Sequence, residues 1–239
     1  MYGHRARIGY TSPPRLTEVF CRDFYRVMPD GVSLVITTLA IREMSQAELD
    51  ESLELARGVA REMARAGVDV VVLGGVPINL TAAGPGGVEA LMQETSDACA
   101  VKVTSSLSAQ MKALEALGAS RLAVVQPFAE SHSSAYGYLD HFGFEAVGFK
   151  AGGYKPIELG SVPGDISAQL ARQLLREHPE ADTLYFPCPH WPVVENVEAL
   201  EQELGVNVVA AGQAIFWDAL RCSGLPDTVA GYGKLLRDH

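Results

Sequence analysis

Along this chain, short runs of β-branched and apolar residues alternate with stretches in which apolar positions recur every three or four residues. The runs at residues 6–10, 32–38, 68–73, 101–104, 121–126, 145–149, 183–186 and 206–210 predict strands. Helical spacing predicts helices over 16–27, 45–66, 87–98, 106–117, 133–142, 166–177, 193–204 and 213–222. The clearest is 45–66. Ser45 and Glu48 form a capping-box pattern, Leu49, Leu53, Ala56, Ala60 and Met63 give one apolar face, and Gly67 stops it. Strand–helix alternation of this kind implies an α/β protein with parallel sheets covered by helices.

The two halves echo each other. Val68-Asp69-Val70-Val71-Val72-Leu73-Gly74-Gly75 parallels Ala181-Asp182-Thr183-Leu184-Tyr185-Phe186-Pro187-Cys188, Arg7-Ile8-Gly9-Tyr10 parallels Arg121-Leu122-Ala123-Val124, and Pro13 parallels Pro127. Val101-Lys102-Val103 likewise parallels Val206-Asn207-Val208. Echoes in one order predict two similar parallel-sheet lobes related by pseudo-two-fold symmetry. The expected boundaries are 1–115, 116–222 and a C-terminal tail, 223–239, packing back on the first lobe. Open α/β sheets bind ligands outside the carboxyl ends of their strands, so the site is expected in an interlobe cleft, with Gly75 and Cys188 as partners on opposite walls.

Composition narrows the partners. The chain has 239 residues, 48% of them hydrophobic, enough for a substantial core. Its formal net charge of -10, with no basic run, argues against nucleic acid or an anionic membrane as partner. No apolar run approaches the roughly 18 residues of a membrane span, and the N-terminus lacks a signal-peptide core, so a cytoplasmic location is expected. Cys21, Cys99, Cys188 and Cys222 are scattered without zinc spacing, which fits free thiols and no metal. A homo-oligomer is left open.

The candidate chemistry centres on Pro187-Cys188-Pro189-His190-Trp191-Pro192, directly after a strand. A helix expected from near Pro192 would direct unpaired amides at the thiol and lower its pKa, with His190 tuning it. From the residues alone, an inert buried cysteine stays open beside that reading. Cys21, Cys99 and Cys222 sit in amphipathic helical patterns and read as structural. Gly84-Pro85-Gly86-Gly87 lacks the Lys-Ser/Thr of a P-loop and reads as a helix-entry turn. Gly152-Gly153 reads as a flexible connection or a lid. Arg15, Arg42, His132 and His141 read as surface residues, and Trp191 and Phe128 as pocket lining or core.

The motif Cys188-Pro189-His190-Trp191-Pro192 resembles the second-cysteine motif of the aspartate/glutamate racemase superfamily, Cys-Thr-His-aromatic-Pro. Ile8-Gly9-Tyr10 with Pro13-Pro14, Phe216-Trp217-Asp218-Ala219-Leu220-Arg221 and Gly231-Tyr232-Gly233-Lys234-Leu235 are similar to the arylmalonate decarboxylase and maleate isomerase branch. The resemblance implies cofactor-free chemistry, with no metal, on a small carboxylic acid. Racemases and maleate isomerases of the superfamily use two cysteines, whereas arylmalonate decarboxylases keep the second alone. Here Gly75 stands where the first belongs. A single acid protonates one face of an enolate but does not readily exchange both.

The expectation is therefore a carboxy-lyase for a malonate-type dicarboxylic acid. Cys188 is the proton donor and His190 its support, with a pocket shaped by Pro13, Pro14, Gly74, Gly75, Val76, Phe128 and Pro189. The chain departs from the decarboxylase pattern at Val76, Pro77 and Phe128, where the family carries hydroxyls; Asn79, Thr81, Gln126 and Ser12 are the candidate replacements. The alternatives are an isomerase or racemase of a small acid, including an ectoine-degradation-type relative, and a non-catalytic acid-binding protein.

Overall fold

The alternation builds two sheets, each of four parallel strands with flanking helices. The computed structural model describes residues 2–15, 17–82, 84–129 and 136–239. In one sheet β1 (Ala6–Pro14), β2 (Val32–Ile41), β3 (Val70–Leu73) and β4 (Lys102–Ser105) lie in the order β2-β1-β3-β4. In the other, β5 (Arg121–Gln126), β6 (Glu145–Ala151), β7 (Thr183–Phe186) and β8 (Asn207–Ala210) repeat it as β6-β5-β7-β8. The echoed residues are the stitching of this repeat. Arg7 donates its backbone N–H to Asp69 Oδ2 (2.8 Å), and Arg121 donates its own to Asp182 Oδ2 (2.9 Å). In both cases the aspartate N–H returns a bond to the arginine carbonyl, at 2.9 and 3.0 Å. Each aspartate thereby fixes the register of the first and third strands of its sheet.

The helices are α1 (Val19–Val27), α2 (Gln46–Arg65), α3 (Val76–Thr81), α4 (Val88–Cys99), α5 (Ser106–Ala116), α6 (Tyr138–His141), α7 (Ile166–Glu177), α8 (Val197–Leu204), α9 (Ala211–Cys222) and α10 (Lys234–Asp238). In α2 the Ser45 side chain accepts from the Glu48 N–H, and Leu53, Ala56, Ala60 and Met63 are buried. They share a core with Leu39, Ile41, Val71, Leu73, Ile78 and Leu91. The predicted helix 133–142 shrinks to α6, with its first residues outside those described. Gly84–Gly87 is a helix-entry turn as expected, a 3-10 turn over Pro85–Gly87. The short α3 and α10 carry too little periodicity to have been predicted.

By their internal contacts the residues fall into two units. The first takes Met1–Thr17, Phe24–Ala109 and Ile215–Asp227, and the second takes Glu18–Asp23, Gln110–Ala214 and Thr228–His239. These lines differ from the boundaries drawn on the sequence: residues 215–227 go with the first unit and Thr228–His239 with the second. In the second unit, Glu201 ties down the tail by accepting from the Lys234 N–H at 2.8 Å. Among the described residues no helix is long and apolar enough to cross a membrane.

Candidate active site

In the first unit, the Pro13-Pro14 segment is the end of a strand rather than a loop. Pro14 pairs with Ile41, and the register shifts between Ser12 and Pro14. Two consecutive residues without N–H groups cannot continue the ladder, so the bulge falls there. At the end of β3, Gly74 donates its N–H to Thr11 Oγ1 (2.9 Å) and is thereby committed. Gly75 has φ 84 and ψ 105, a conformation open to glycine and strained for other residues. A Cβ there would stand 2.6 Å from Pro13 Cγ and 3.2 Å from Ile78 Cδ1. A side chain here is therefore strained, and the Pro13 ring would have to move to admit one. Val76 is buried and Pro77 opens α3.

The replacement donors separate cleanly. Asn79 uses Nδ2 on the Leu73 carbonyl (3.3 Å) and Oδ1 on the Leu107 N–H (3.2 Å). Thr81 donates to the Pro77 carbonyl (2.9 Å). Gln126 folds onto the backbone of Phe128 and Ala129. Ser12 Oγ alone of the four is buried with no hydrogen-bond partner among the described residues. Such a hydroxyl pays its full desolvation cost and invites an explanation.

In the second unit, Cys188 follows β7 and is half-buried. The helix expected from Pro192 does not form there. Residues 189–192 turn and bend, a 3-10 turn covers Val194–Asn196, and α8 starts only at Val197. The thiol accordingly lacks the helix-terminus stabilisation expected of it. Burial pushes it up to about 12, opposed by the backbone N–H of His190 directed at the sulfur. Pro189 has no amide hydrogen, which leaves the N–H two residues on as the local donor, the geometry of an Asx-type turn. The support that His190 gives the sulfur thus comes from its main chain. Its imidazole is buried, packs 5.9 Å from the Phe20 ring, and is lowered by burial to about 3, hence neutral. Ser167 Oγ donates to the Pro192 carbonyl (2.7 Å), and Asn196 Nδ2 donates to the Gly164 carbonyl (2.6 Å). These two residues clamp the turn, and no motif marks them in the sequence.

Phe128 is half-buried at the end of β5. Its carbonyl accepts from the Gly153 N–H (3.0 Å), while Gly152 and Tyr154 bond the carbonyls of Gln126 and Pro127 (2.9 and 2.8 Å). The glycine pair is thus zipped to β5 and is neither a loose connection nor a free lid. Trp191 is 1% exposed and belongs to the core rather than to a pocket wall. Arg15, Arg42 and His141 are exposed, and His132 lies outside the described residues. A depression of about 420 Å³ between α7 and α8 is lined by Arg172, Arg176, Glu203 and neighbours and includes none of the candidate residues. Among the described residues no cluster of His, Cys, Asp or Glu is placed to hold a metal ion.

Sequence reasoning passed over Tyr136. It stands beside Tyr138 and Phe149, with ring centroids 6.2 and 5.9 Å away, and it interacts electrostatically with Cys188. Burial and the neighbouring Tyr138 and Cys188 hold its hydroxyl well above the ordinary phenol range. The fifty-odd residues separating it from the thiol hide the pairing from any motif.

Known proteins place this arrangement. The chain is 34% identical over 143 residues to the maleate isomerase of Nocardia farcinica, covering 56% of this chain and 54% of that protein. It is 25% identical over 231 residues to the arylmalonate decarboxylase of Bordetella bronchiseptica, covering 95% of each. A cysteine-to-serine mutant of the Nocardia farcinica maleate cis-trans isomerase, solved with a covalently bound succinylcysteine intermediate, superposes with a TM-score of 0.87 at 26% identity, over 98% of this chain and 99% of that one. The model of the arylmalonate decarboxylase family matches residues 8–236. With nearly its whole length so matched, the chain belongs to the arylmalonate decarboxylase family.

Proposed function

We propose that this enzyme is a cofactor-independent decarboxylase of a malonate-type or related dicarboxylic acid, with Cys188 as its proton donor. Loss of carbon dioxide breaks the bond to the α-carbon and leaves the electron pair there, spread into the remaining carboxylate as an enediolate. The Cys188 S–H then breaks and its proton forms the new C–H bond. The observation that carries the reading is a thiol after β7 held up at about 12, together with a Gly75 after β3 whose conformation is strained for any residue with a side chain. A neutral thiol is the required state for an acid, and a thiolate is the required state for addition to a double bond. Pro13, Pro14, Gly74, Gly75, Val76, Phe128 and Pro189 are assigned to substrate contact. Ser12 is assigned as the hydroxyl that replaces those missing at Val76 and Pro77. Its buried, unpartnered oxygen supports that role.

The alternative is an isomerase, favoured by the identity to the Nocardia farcinica protein over half the chain. Cys188→Ala, assayed for carbon dioxide release across a panel of substituted malonates, separates the readings. Loss of release on a substrate the wild type turns over supports the decarboxylase. Unchanged turnover removes the mechanism, and wild-type conversion of maleate to fumarate without release installs the isomerase instead.

A further inference from the structure

An open sheet leaves strand edges on which another chain can add, and proteins blunt such edges with short strands, charge or proline. Among the described residues, three of the outermost strands are blunted in these ways. β4 and β8 have only four residues each, and β6 carries Glu145 and Lys150. β2 is the exception. It is the longest strand, ten residues with no charge and no proline. Its Leu34 N–H donates to the Tyr25 hydroxyl (3.3 Å) and not to β1. Backbone groups alternate sides along a strand, and the register with β1 is regular from Val32 to Thr38. Ile36 and Thr38 therefore also turn their N–H and C=O groups away from β1. Among the described residues nothing bonds them on that side. Thr37 and Thr38 are exposed and Ile36 is half-buried, so the stretch is open to an approaching strand. Tyr25, 62% exposed, brings an aromatic ring to the same edge, a residue type enriched in protein interfaces.

We propose that β2 is a self-association surface, on which two copies of this chain pair their β2 strands antiparallel about a two-fold axis through Thr37. The two four-stranded sheets then become one continuous sheet. In this register Ile36 of each copy exchanges N–H···O bonds with Thr38 of the other, and the two Thr37 side chains meet as a close, non-hydrogen-bonded pair. Leu34 keeps its bond to Tyr25. The paired stretch is uncharged, so its own image does not repel it, and an isologous contact covers the open edge of both copies at once. Thr38 is the register partner of Ser12, so the contact braces the strand that carries that hydroxyl.

Sedimentation velocity of the whole protein, diluted from about 1 mM to 1 μM, is expected to show a species of twice the 25.6 kDa chain mass. Thr37→Lys and Thr37→Glu each set like charges face to face on an exposed position. Either alone is expected to raise the dissociation constant roughly tenfold or more. Mixed in equal amounts, the two variants set opposite charges face to face and re-form the dimer, which damage to the strand would not do. A wild type that stays monomeric at every concentration leaves this edge to another protein and overturns the proposal. A dimer that neither substitution weakens, or a mixture of the two variants that stays monomeric, overturns it as well.

Discussion

Replacing Gly75 by alanine tests whether the backbone, and not only the choice of side chain, keeps this position bare. Three contributions set the magnitude. A non-glycine residue held at φ 84 and ψ 105 costs on the order of 1–3 kcal/mol. The new Cβ, 2.6 Å from Pro13 Cγ, forces a proline ring built into β1 to move, an overpacking cost of about 1–3 kcal/mol. The unfolded chain loses flexibility, which returns roughly 0.4–1 kcal/mol. The expected net destabilisation is about 2–4 kcal/mol, a large fraction of the ~5–15 kcal/mol by which domains are stable. Gly58 provides the internal control. It lies within α2, and a Cβ there meets nothing within 4 Å. Gly58→Ala is therefore expected to stabilise by ~0.5–1 kcal/mol through helix propensity. Urea unfolding followed by circular dichroism and tryptophan fluorescence measures both. Trp217 belongs to the first unit and Trp191 to the second, so single-tryptophan backgrounds assign the loss to the unit that carries the change. A Gly75→Ala midpoint at or above wild type, with Gly58→Ala behaving as expected, would refute the argument that local geometry disfavours a side chain at this position.

Ser12→Ala should show opposite signs in stability and activity. Deleting an unpartnered buried hydroxyl raises stability by about 1 kcal/mol in urea unfolding, while carbon dioxide release falls on the order of 10²-fold. A drop in stability would mean that the oxygen already has a partner. The Cys188 thiol and the buried His190 imidazole each contribute to the pH dependence. The folded His190 titrates at about 3, so below pH ~6.5 the unfolded chain takes up a proton that the folded chain refuses. Stability is expected to fall as pH drops from 6.5 toward 3, by up to ~1.4 kcal/mol per pH unit from this residue, and His190→Phe flattens that limb of the urea-midpoint profile. Above pH ~9 the unfolded Cys188 ionises while the folded thiol does not until about 12, so stability declines again on the alkaline side. Cys188→Ala makes that second decline shallower, measured by the same midpoints at pH 9 and 10.5.

Period and repetition made most of the fold legible. The apolar face of α2, the echo of three strands and the two aspartates at 69 and 182 are local signals. Each carries its structural meaning in the residue types themselves. The candidate residues were placed in the fold only where the chain is extended. Cys188, Gly75 and Pro13 sit at strand ends that alternation locates within a residue or two. The environment of the thiol was misread because Pro192 looks like a helix start, whereas the chain makes a turn held by Ser167 and Asn196 before a 3-10 segment forms. That clamp is made by side chains far apart in sequence. Tyr136 was missed for the same reason. Its ring packs on Tyr138, which in turn meets Tyr185 and Gln110, and no spacing rule encodes contacts that only tertiary structure creates.

The paired aspartates have a further consequence. Asp69 and Asp182 fasten each sheet at the edge where its strands begin, whereas Ser12, Pro13, Gly75, Phe128 and Cys188 all occupy the edge where strands finish. Mutational robustness and chemical novelty are thereby assigned to opposite rims of the same architecture. Substitutions at the finishing rim leave the aspartate clasps untouched, so a duplicated module of this design can change thiols and hydroxyls there while Gly75 stays tied to its strained backbone.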